Sequence, residues 1–315
     1  MYMMRLQFLA GLCLATAGCG GGGGTSGGGT VVVPPITSTP TPTPSSSPPP
    51  PIDFTRDFAF TSELGYAVRV FTHRDGVEST PINQVKDGGI SAGPPVALTF
   101  NAGNGSLMLA YGTETLAFSG AERVADQRYS GSDGRYLAFY PVASSFKYVV
   151  SAYAKAAAVP YILDGKSGMR ATHYVGIFGY GSTVTSRMEG ALNVYPGQPI
   201  LNSAPAKTQL RAGDLRLWVN SGQNYHFGSL SLSKVENGAE VNAGSLTLRG
   251  TLNEATNVFS GTISDPVSGY NGTFRGALFG PNREEVGILF SFSRPLDGGA
   301  IYAGEMLAKR EYAPN

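Results

Sequence analysis

One stretch of this sequence sets a reactive side chain in a context that specifies a reaction. Ala17-Gly18-Cys19 closes the segment MYMMRLQFLAGLCLATAGC, in which Arg5 precedes an apolar run from Leu6 to about Ala17. Such an ending presents the Cys19 thiol for lipidation, with cleavage leaving Cys19 as the new N-terminus. Thr16 stands where Leu is usual, and Ala15-Thr16-Ala17 is a competing cleavage site that would free a chain starting at Gly18. Roughly twelve apolar residues span ~18 Å as a helix, short of the ~30 Å of a bilayer core. Residues 1–18 therefore read as a secretory signal. Cys13, behind bulky Leu12, reads as a small apolar residue inside it.

The remaining chemistry-bearing residues do not form a known constellation. His73, His173 and His226 lie far apart, and a metal or a triad would require them to converge. His173 and His226 are expected at strand ends or on exposed faces. Glu284 and Glu285 are adjacent, so in a strand they point to opposite sides and cannot flank one bond. One of them is expected to meet Lys309, Arg310 or Arg275 as a structural ion pair. The chain has no H-E-x-x-H, C-x-x-C or P-loop pattern. The expectation is a protein without catalytic residues, metal or cofactor.

Composition narrows what could position any site. The 23 Lys and Arg residues balance 22 Asp and Glu, leaving +1, so there is no electrostatic footprint for nucleic acid. The 43 Gly and 21 Pro make up about a fifth of the 315 residues, against roughly 12% on average. That disfavours helix, where Gly costs ~1 and Pro ~3 kcal/mol per interior position. From Gly20 to Ile52 the chain has eight Gly, nine Pro and no charge. Residues 19–52 thus read as the Cys19 terminus followed by a tether, first flexible and then semi-rigid. A tether is useful between a lipid and a body held off a surface, which favours lipidation over release.

Beyond residue 52 the dominant period is two. Val96–Phe100, Leu107–Tyr111, Leu215–Val219, Leu230–Leu232, Leu246–Leu248 and Val286–Phe292 alternate apolar and other residues. Gly103-Asn104-Gly105, Ser221-Gly222, Glu236-Asn237-Gly238, Ser268-Gly269 and Asp297-Gly298-Gly299 punctuate the runs. Strands joined by such turns predict an all-β protein with antiparallel pairing. Gly190, Gly228, Gly250, Gly261, Gly272 and Gly276 interrupt strands where a sheet would bend, favouring a closed barrel. Trp218 reads as a core or barrel-wall residue. Residues 53–168 have shorter, Tyr-rich strands and form a smaller β-rich part, with Ala154–Ala158 as a helical turn before Pro160. Residues 169–315 form an antiparallel barrel of about eight strands. The tyrosines read as packing, or alternatively as a binding face. Two polar, turn-rich segments, Tyr195–Ala212 and Arg123–Arg135, are candidate binding loops, the first equally readable as a passive crossover.

The run Gly272-Thr-Phe274-Arg-Gly276-Ala-Leu278-Phe279-Gly280-Pro281-Asn282-Arg283-Glu284-Glu285-Val286-Gly287, with Gly304-Glu-Met-Leu-Ala308-Lys309-Arg310, resembles the barrel signature of transferrin-binding protein B-like surface lipoproteins. There the pattern is G-x-F-x-G-x-F-Y-G-P-N-A-x-E-x-G-G, then G-x-F-x-A-K-R. Phe279, Ile288 and Met306-Leu307 depart from it. Thr172–Tyr180 resembles the strand that opens the family's barrel, and the Gly-rich start after Cys19 is typical. Gly280, Pro281, Asn282, Glu285, Gly287, Lys309 and Arg310 match as structural motif residues, with Pro281 fixing φ and Asn282 suited to left-handed geometry.

The resemblance implies a handle domain at 53–168 and a barrel domain at 169–315. It implies a lipid-anchored outer-membrane protein, exposed at the cell surface, that binds a protein or other ligand without catalysis. The family's named activity is recognition of iron-loaded host transferrin, and its members work with an outer-membrane receptor and a translocator. The full transferrin receptor has two handle-plus-barrel lobes, and this chain has room for one. The alternative is a structural or adhesive surface lipoprotein. Mass spectrometry of the mature N-terminus tests the anchoring step. Lipidated Cys19 is expected, and a free Gly18 terminus, or membrane retention unchanged by Cys19→Ala, would refute it.

Overall fold

The computed structural model describes residues 49–73, 82–85, 90, 93–125, 127–140, 146–163, 165–189, 193–203, 210–297 and 301–311. The signal, Cys19 and the tether as far as residue 48 lie outside the described residues. Residues 49–52, expected as tether, are packed against the body: the Ile52 N–H donates to the Lys147 carbonyl (2.8 Å) and Arg56 reaches the Pro51 carbonyl (3.1 Å). Among the described residues there is no α-helix, and none long and apolar enough to cross a membrane.

The alternating segments form three antiparallel sheets. The first joins Phe58–Ser62 (β1), Val96–Asn101 (β4), Ser106–Tyr111 (β5) and Glu114–Phe118 (β6), in the order β1-β4-β5-β6. The second comprises Gly65–His73 (β2), Ile82–Val85 (β3), Arg123–Ala125 (β7), Arg128–Ser130 (β8), Tyr136–Tyr140 (β9), Val149–Lys155 (β10), Val159–Leu163 (β11) and Lys166–Gly179 (β12). Its order is β3-β2-β12-β10-β9-β8-β7, with β11 also paired to β12. The third contains Val194–Gly197 (β13), Ile200–Ser203 (β14), Arg211–Trp218 (β15), Tyr225–Glu236 (β16), Ala239–Asn253 (β17), Val258–Asp265 (β18), Tyr270–Phe279 (β19), Glu285–Ser293 (β20) and Ile301–Lys309 (β21).

The third sheet curls until its edges meet. Strands β15 to β21 follow one another as antiparallel neighbours, with β13 beside β15 and β14 beside β21. These two edges are one stretch of chain, joined through Gln198-Pro199. The Val194 carbonyl also accepts the Glu311 N–H at 2.7 Å, and a Cβ on Gly197 would stand 2.8 Å from the Met306 sulfur. Residues 194–203 therefore bridge β15 and β21, giving a barrel of eight staves. This corrects the reading of Tyr195–Ala212 as a loop. Pro196 and Pro199 mislead because proline is tolerated in a strand with an open edge. Residues 204–209 lie outside the described set.

Inside the barrel, alternate side chains from every stave pack together: Tyr195, Leu215, Leu217, Leu230, Leu246 and Ile288 are all buried. Phe227 stacks on Phe259 at 5.3 Å and tilts against Phe274 at 5.5 Å. Two strand glycines make room for these rings. A Cβ on Gly250 would lie 2.8 Å from the Phe274 ring, and one on Gly276 would lie 2.3 Å from that of Phe259. Gly228 is the bulge residue of the group, at φ +151 beside a register shift in the β16–β17 pairing. Outward positions such as Arg216 and Ser231 are exposed, and Thr247 is half-buried. Trp218 is a wall residue, half-buried with its ring 6.0 Å from His226. The Asn237-Gly238 turn has positive φ at both residues, as a two-residue hairpin between Glu236 and Ala239 requires.

The second sheet is buried on both sides. Leu137, Phe139, Ala152, Ala154, Tyr174 and Phe178 pack on Leu98, Phe100, Leu109 and Tyr111 of the first sheet. Val149, Val175 and Ile177, on the opposite face, pack on Phe279, Leu289 and Ala303 of the barrel's outer wall. Thr172–Tyr180 does not open the barrel. It runs through the centre of the second sheet, between β2 and β10. Its near-continuous apolar run, Val175-Gly-Ile-Phe, is that of a strand covered on two faces.

Ala154–Ala158 is no helical turn. Ala154 and Lys155 are the last residues of β10, paired to β9 on one side and β12 on the other. Arg123–Arg135 likewise holds strands, not a free loop, and Tyr129 is fully buried with its hydroxyl on the Gly105 carbonyl (3.0 Å). Burying a phenyl ring in such a core makes Phe274→Ala cost about 3–5 kcal/mol. Urea denaturation of the purified variant measures this, and a loss below about 1 kcal/mol would show the barrel is not packed around that ring.

Candidate functional site

The residues of the C-terminal signature converge on one seam, where the barrel wall meets the second sheet. The chain leaves β12 at Gly179 and runs alongside the end of β19: Gly280 N–H donates to the Tyr180 carbonyl (2.9 Å) and Ser182 N–H to that of Leu278 (3.0 Å). Gly280 takes φ +84 in the turn into β20, and a Cβ there would press on the Tyr148 ring at 2.6 Å. Asn282 does not adopt the left-handed conformation expected of it. Arg283 does, at φ +60, while the Asn282 backbone and side chain bond the Glu284 carboxylate at 2.9 and 3.2 Å. On β20, a Cβ on Gly287 would meet Ile177 at 2.6 Å, so its absence lets the two sheets close.

Glu285 lies at the centre of this seam. It points out of the barrel at 2% exposure, into the start of β10. Its Oε1 accepts the Lys147 N–H at 2.7 Å, and its Oε2 those of Tyr148 (2.8 Å) and Val149 (3.1 Å). Burial pushes its pKa up, while the three amide bonds and the Lys309 charge pull it back. The expected ion pair is therefore not what the carboxylate makes. Lys309 is its register partner across the ladder, but the Lys309 ammonium sits 5.8 Å from the centre of the Phe146 ring. Arg275 pairs with Glu63 instead, and the Arg310 N–H donates to the Glu284 carbonyl at 2.7 Å.

A second carboxylate, Glu305, faces the same sheet from β21, 2% exposed, and accepts a hydrogen bond from the Ser151 hydroxyl. Sequence reasoning missed it, and it missed Arg283 too. Arg283 is 3% exposed and donates to the Asn257 carboxamide (2.7 Å) and to the carbonyls of Ser186 (2.8 Å) and Val184 (2.7 Å). Desolvation lowers its pKa. It thereby pins residues 184–186 to the turn after β19. The only sequence signal was a charged residue where the family pattern carries Ala.

His173 and His226 stay apart. His173 is on β12 and bonds the Tyr153 hydroxyl through Nδ1 at 2.9 Å, while His226 is on the barrel wall beside Trp218. Burial lowers His173 to about 4, so it is neutral at physiological pH, and it is not at the strand end expected. Nothing is described of the His73 side chain.

Two hollows flank the seam. One, of about 320 Å³, lies between Tyr140, Phe146 and Ser151 on one side and Ile200, Glu305 and Leu307 on the other. The second, of about 670 Å³, is lined by Thr251, Asn253, Ser260, Arg275 and Glu63. The arrangement can hold ligands by shape, hydrogen bonds and charge.

The class so defined is an all-β protein in which a curled eight-stave barrel docks by its outer wall on a two-sheet sandwich. No protein-family model and no curated protein sequence matches the chain. Among solved structures it is similar to isotype 1 transferrin-binding protein B from serogroup B Neisseria meningitidis, at 14% identity and a TM-score of 0.36, over 79% of this chain and 43% of that one. It is also similar to two variants of the vaccine antigen transferrin-binding protein B from Haemophilus parasuis Hp5. One is 9% identical with a TM-score of 0.28, over 84% of this chain and 78% of that one. The other is 10% identical with a TM-score of 0.29, over 84% and 77%. The chain thus spans less than half the length of the Neisseria protein.

Removing the Glu285 carboxylate takes the acceptor from three backbone N–H groups, two in part-buried bonds and that of Val149 in a buried one. Glu285→Ala is expected to cost at least about 1–3 kcal/mol, and Glu284→Ala, which loses only a local turn bond, clearly less. Paired urea titrations measure both, and equal losses would remove the special role given to Glu285.

Proposed function

We propose that this protein is a lipid-anchored outer-membrane protein, exposed at the cell surface, that binds a protein ligand without chemistry. In this reading Cys19 carries the lipid, residues 20–48 form the spacer, and the two-sheet sandwich that ends with β12 and the barrel that begins at β13 act as handle and barrel. Gly280, Pro281, Asn282, Glu285, Gly287, Lys309 and Arg310 serve to join the two. The observation that carries it is the combination of Ala17-Gly18-Cys19 and an uncharged Gly/Pro-rich stretch with a cross-braced β body that keeps two open hollows beside its seam. Rigid hollows held at the end of a spacer suit capture, because little ordering entropy is lost on binding. An outer-membrane receptor would then receive the ligand, and a link to iron acquisition follows from the signature's resemblance.

One observation favours the alternative of an adhesive surface protein. Strand β11 is an edge strand exposing Val159 (45%), Tyr161 (38%) and Ile162 (68%), a pattern that natural proteins usually cover or charge. A pull-down from growth medium and from outer-membrane extract, after iron-replete and iron-starved growth, separates the two. Enrichment of a soluble protein over a bead-only control supports capture, and enrichment only after starvation supports the iron link. Retention of nothing but whole cells or further copies of this chain would overturn capture in favour of adhesion.

A further inference from the structure

The second sheet differs in charge from the rest of the body. Its strands contain Arg69, Arg123, Arg128, Lys155, Lys166 and Arg170, and no Asp or Glu. The barrel strands mix both signs: β15 carries Asp214 with Arg211 and Arg216, and β16 carries Glu236 with Lys234. Outside the second sheet many cations are taken by acids, as in Arg56–Asp53, Arg216–Glu311 and Arg275–Glu63. Among the described residues, Arg128 and Lys155 make no ion pair. Glu122 and Asp133, in the connections before β7 and after β8, are engaged by Arg135.

Register puts Arg128 and Lys155 on one surface. Ser151 reaches Glu305 of the barrel, so alternation along β10 turns Ser151, Tyr153 and Lys155 to the barrel side. Ala138 is opposite both Tyr153 and Arg128, and it shares that side with Tyr136 and Tyr140. Arg128 is exposed, and Lys155 and the three tyrosines are half-buried, so this part of the sheet is an open shelf. Two strand spacings and two residues separate the cations, about 12 Å between Cα atoms. Tyr153 is pushed up to about 12, by burial and then by Tyr140 and Tyr136, and burial keeps His173 neutral. The charge of the shelf is therefore that of its two cations.

Tyr140 also lines the hollow of about 320 Å³, with Phe146, Ile200 and Leu307. The acid of that hollow, Glu305, is 2% exposed and bonded by Ser151. Lys309, exposed and 5.8 Å from the centre of the Phe146 ring, adds a third positive charge nearby. Cations, phenol groups and an apolar recess are thus continuous. Tyrosine and arginine are the side chains that most often anchor protein interfaces, and matched charge steers and orients a partner. A polysaccharide could meet the cations, but it has no apolar side chain to fill the recess.

We propose that this shelf docks an acidic segment of a protein ligand, with carboxylates on Arg128 and Lys155 and an apolar side chain in the hollow beside Tyr140. The inference rests on the capture reading above and adds the chemistry of the partner's contact surface.

Isothermal titration of the full chain with the peptide Glu-Glu-Leu-Leu-Glu-Glu, long enough to span the shelf, tests it. Saturable binding is expected, at least about tenfold tighter than that of Gln-Gln-Leu-Leu-Gln-Gln or of tetragalacturonate, which carries as many carboxylates. Arg128→Glu with Lys155→Glu is expected to weaken binding about tenfold or more. Arg211→Glu with Arg249→Glu makes the same charge change at exposed barrel positions and is expected to leave it unchanged. If the first pair does not fold, Arg128→Glu alone, at an exposed position, decides, with a loss of about threefold or more. No binding, equal losses in the two double variants, or tetragalacturonate bound as tightly as the acidic peptide would overturn the proposal. A protein recovered by the pull-down and held equally well by Arg128→Glu with Lys155→Glu would overturn the shelf alone and leave capture standing.

Discussion

The body is held together by a carboxylate bonded to three consecutive backbone amides. Glu285 belongs to the barrel, and the amides of Lys147, Tyr148 and Val149 belong to the second sheet, more than 130 residues earlier in the chain. Amides at the mouth of a strand need acceptors, and a buried carboxylate needs donors. Each requirement is met only if the two bodies dock in one register. Apolar contact between Ile177, Leu289 and Ala303 adds area without direction. The polar cradle adds the direction. Gly280 and Gly287 permit it, because a side chain at either position would hold the surfaces apart.

From that seam the layers follow in order. The second sheet is covered by the first sheet on one face and by the barrel on the other, so its central strand β12 has buried residues pointing both ways. The barrel can present an apolar strip on β19, β20 and β21 because its own core is filled from within by the opposite side chains of those strands, among them Phe274, Ile288, Phe290 and Met306. One wall thus serves two interiors. That double duty explains why β20 is buried from Glu285 through Phe290 rather than alternately exposed.

Much of this was legible from residue order. Alternation marked the strands around Leu98, Leu109, Leu217, Leu230, Leu248 and Phe290, and Asn237-Gly238 marked its hairpin. What was not legible depends on distant partners. Nothing near Glu285 in sequence announces that its acceptors serve residues 147–149, so an ion pair of Glu284 or Glu285 with Lys309, Arg310 or Arg275 was the local reading. Arg283 is buried because Asn257, Val184 and Ser186 supply its acceptors, and no window of sequence contains them all. The closing strand 194–203 was hidden by its prolines, and β12 was assigned to the barrel on the resemblance of Thr172–Tyr180 to a barrel-opening strand, which says nothing of the two sheets that cover it. Glycines in strands suggested curvature. At Gly250 and Gly276 a neighbouring phenyl ring and a neighbouring strand's carbonyl both take the space a Cβ would need.

The docking of Ile52 has a mechanical consequence. Its N–H is bonded to the carbonyl of Lys147, the residue whose own N–H rests on Glu285. Tension entering the body from its N-terminal side is therefore delivered first to the joint between sandwich and barrel, and not to a free end of either. It is spread from there over the β10–β12 and β20–β21 ladders, whose bonds share the load. A body gripped at its joint resists being peeled strand by strand, and drag on one half is passed to the other.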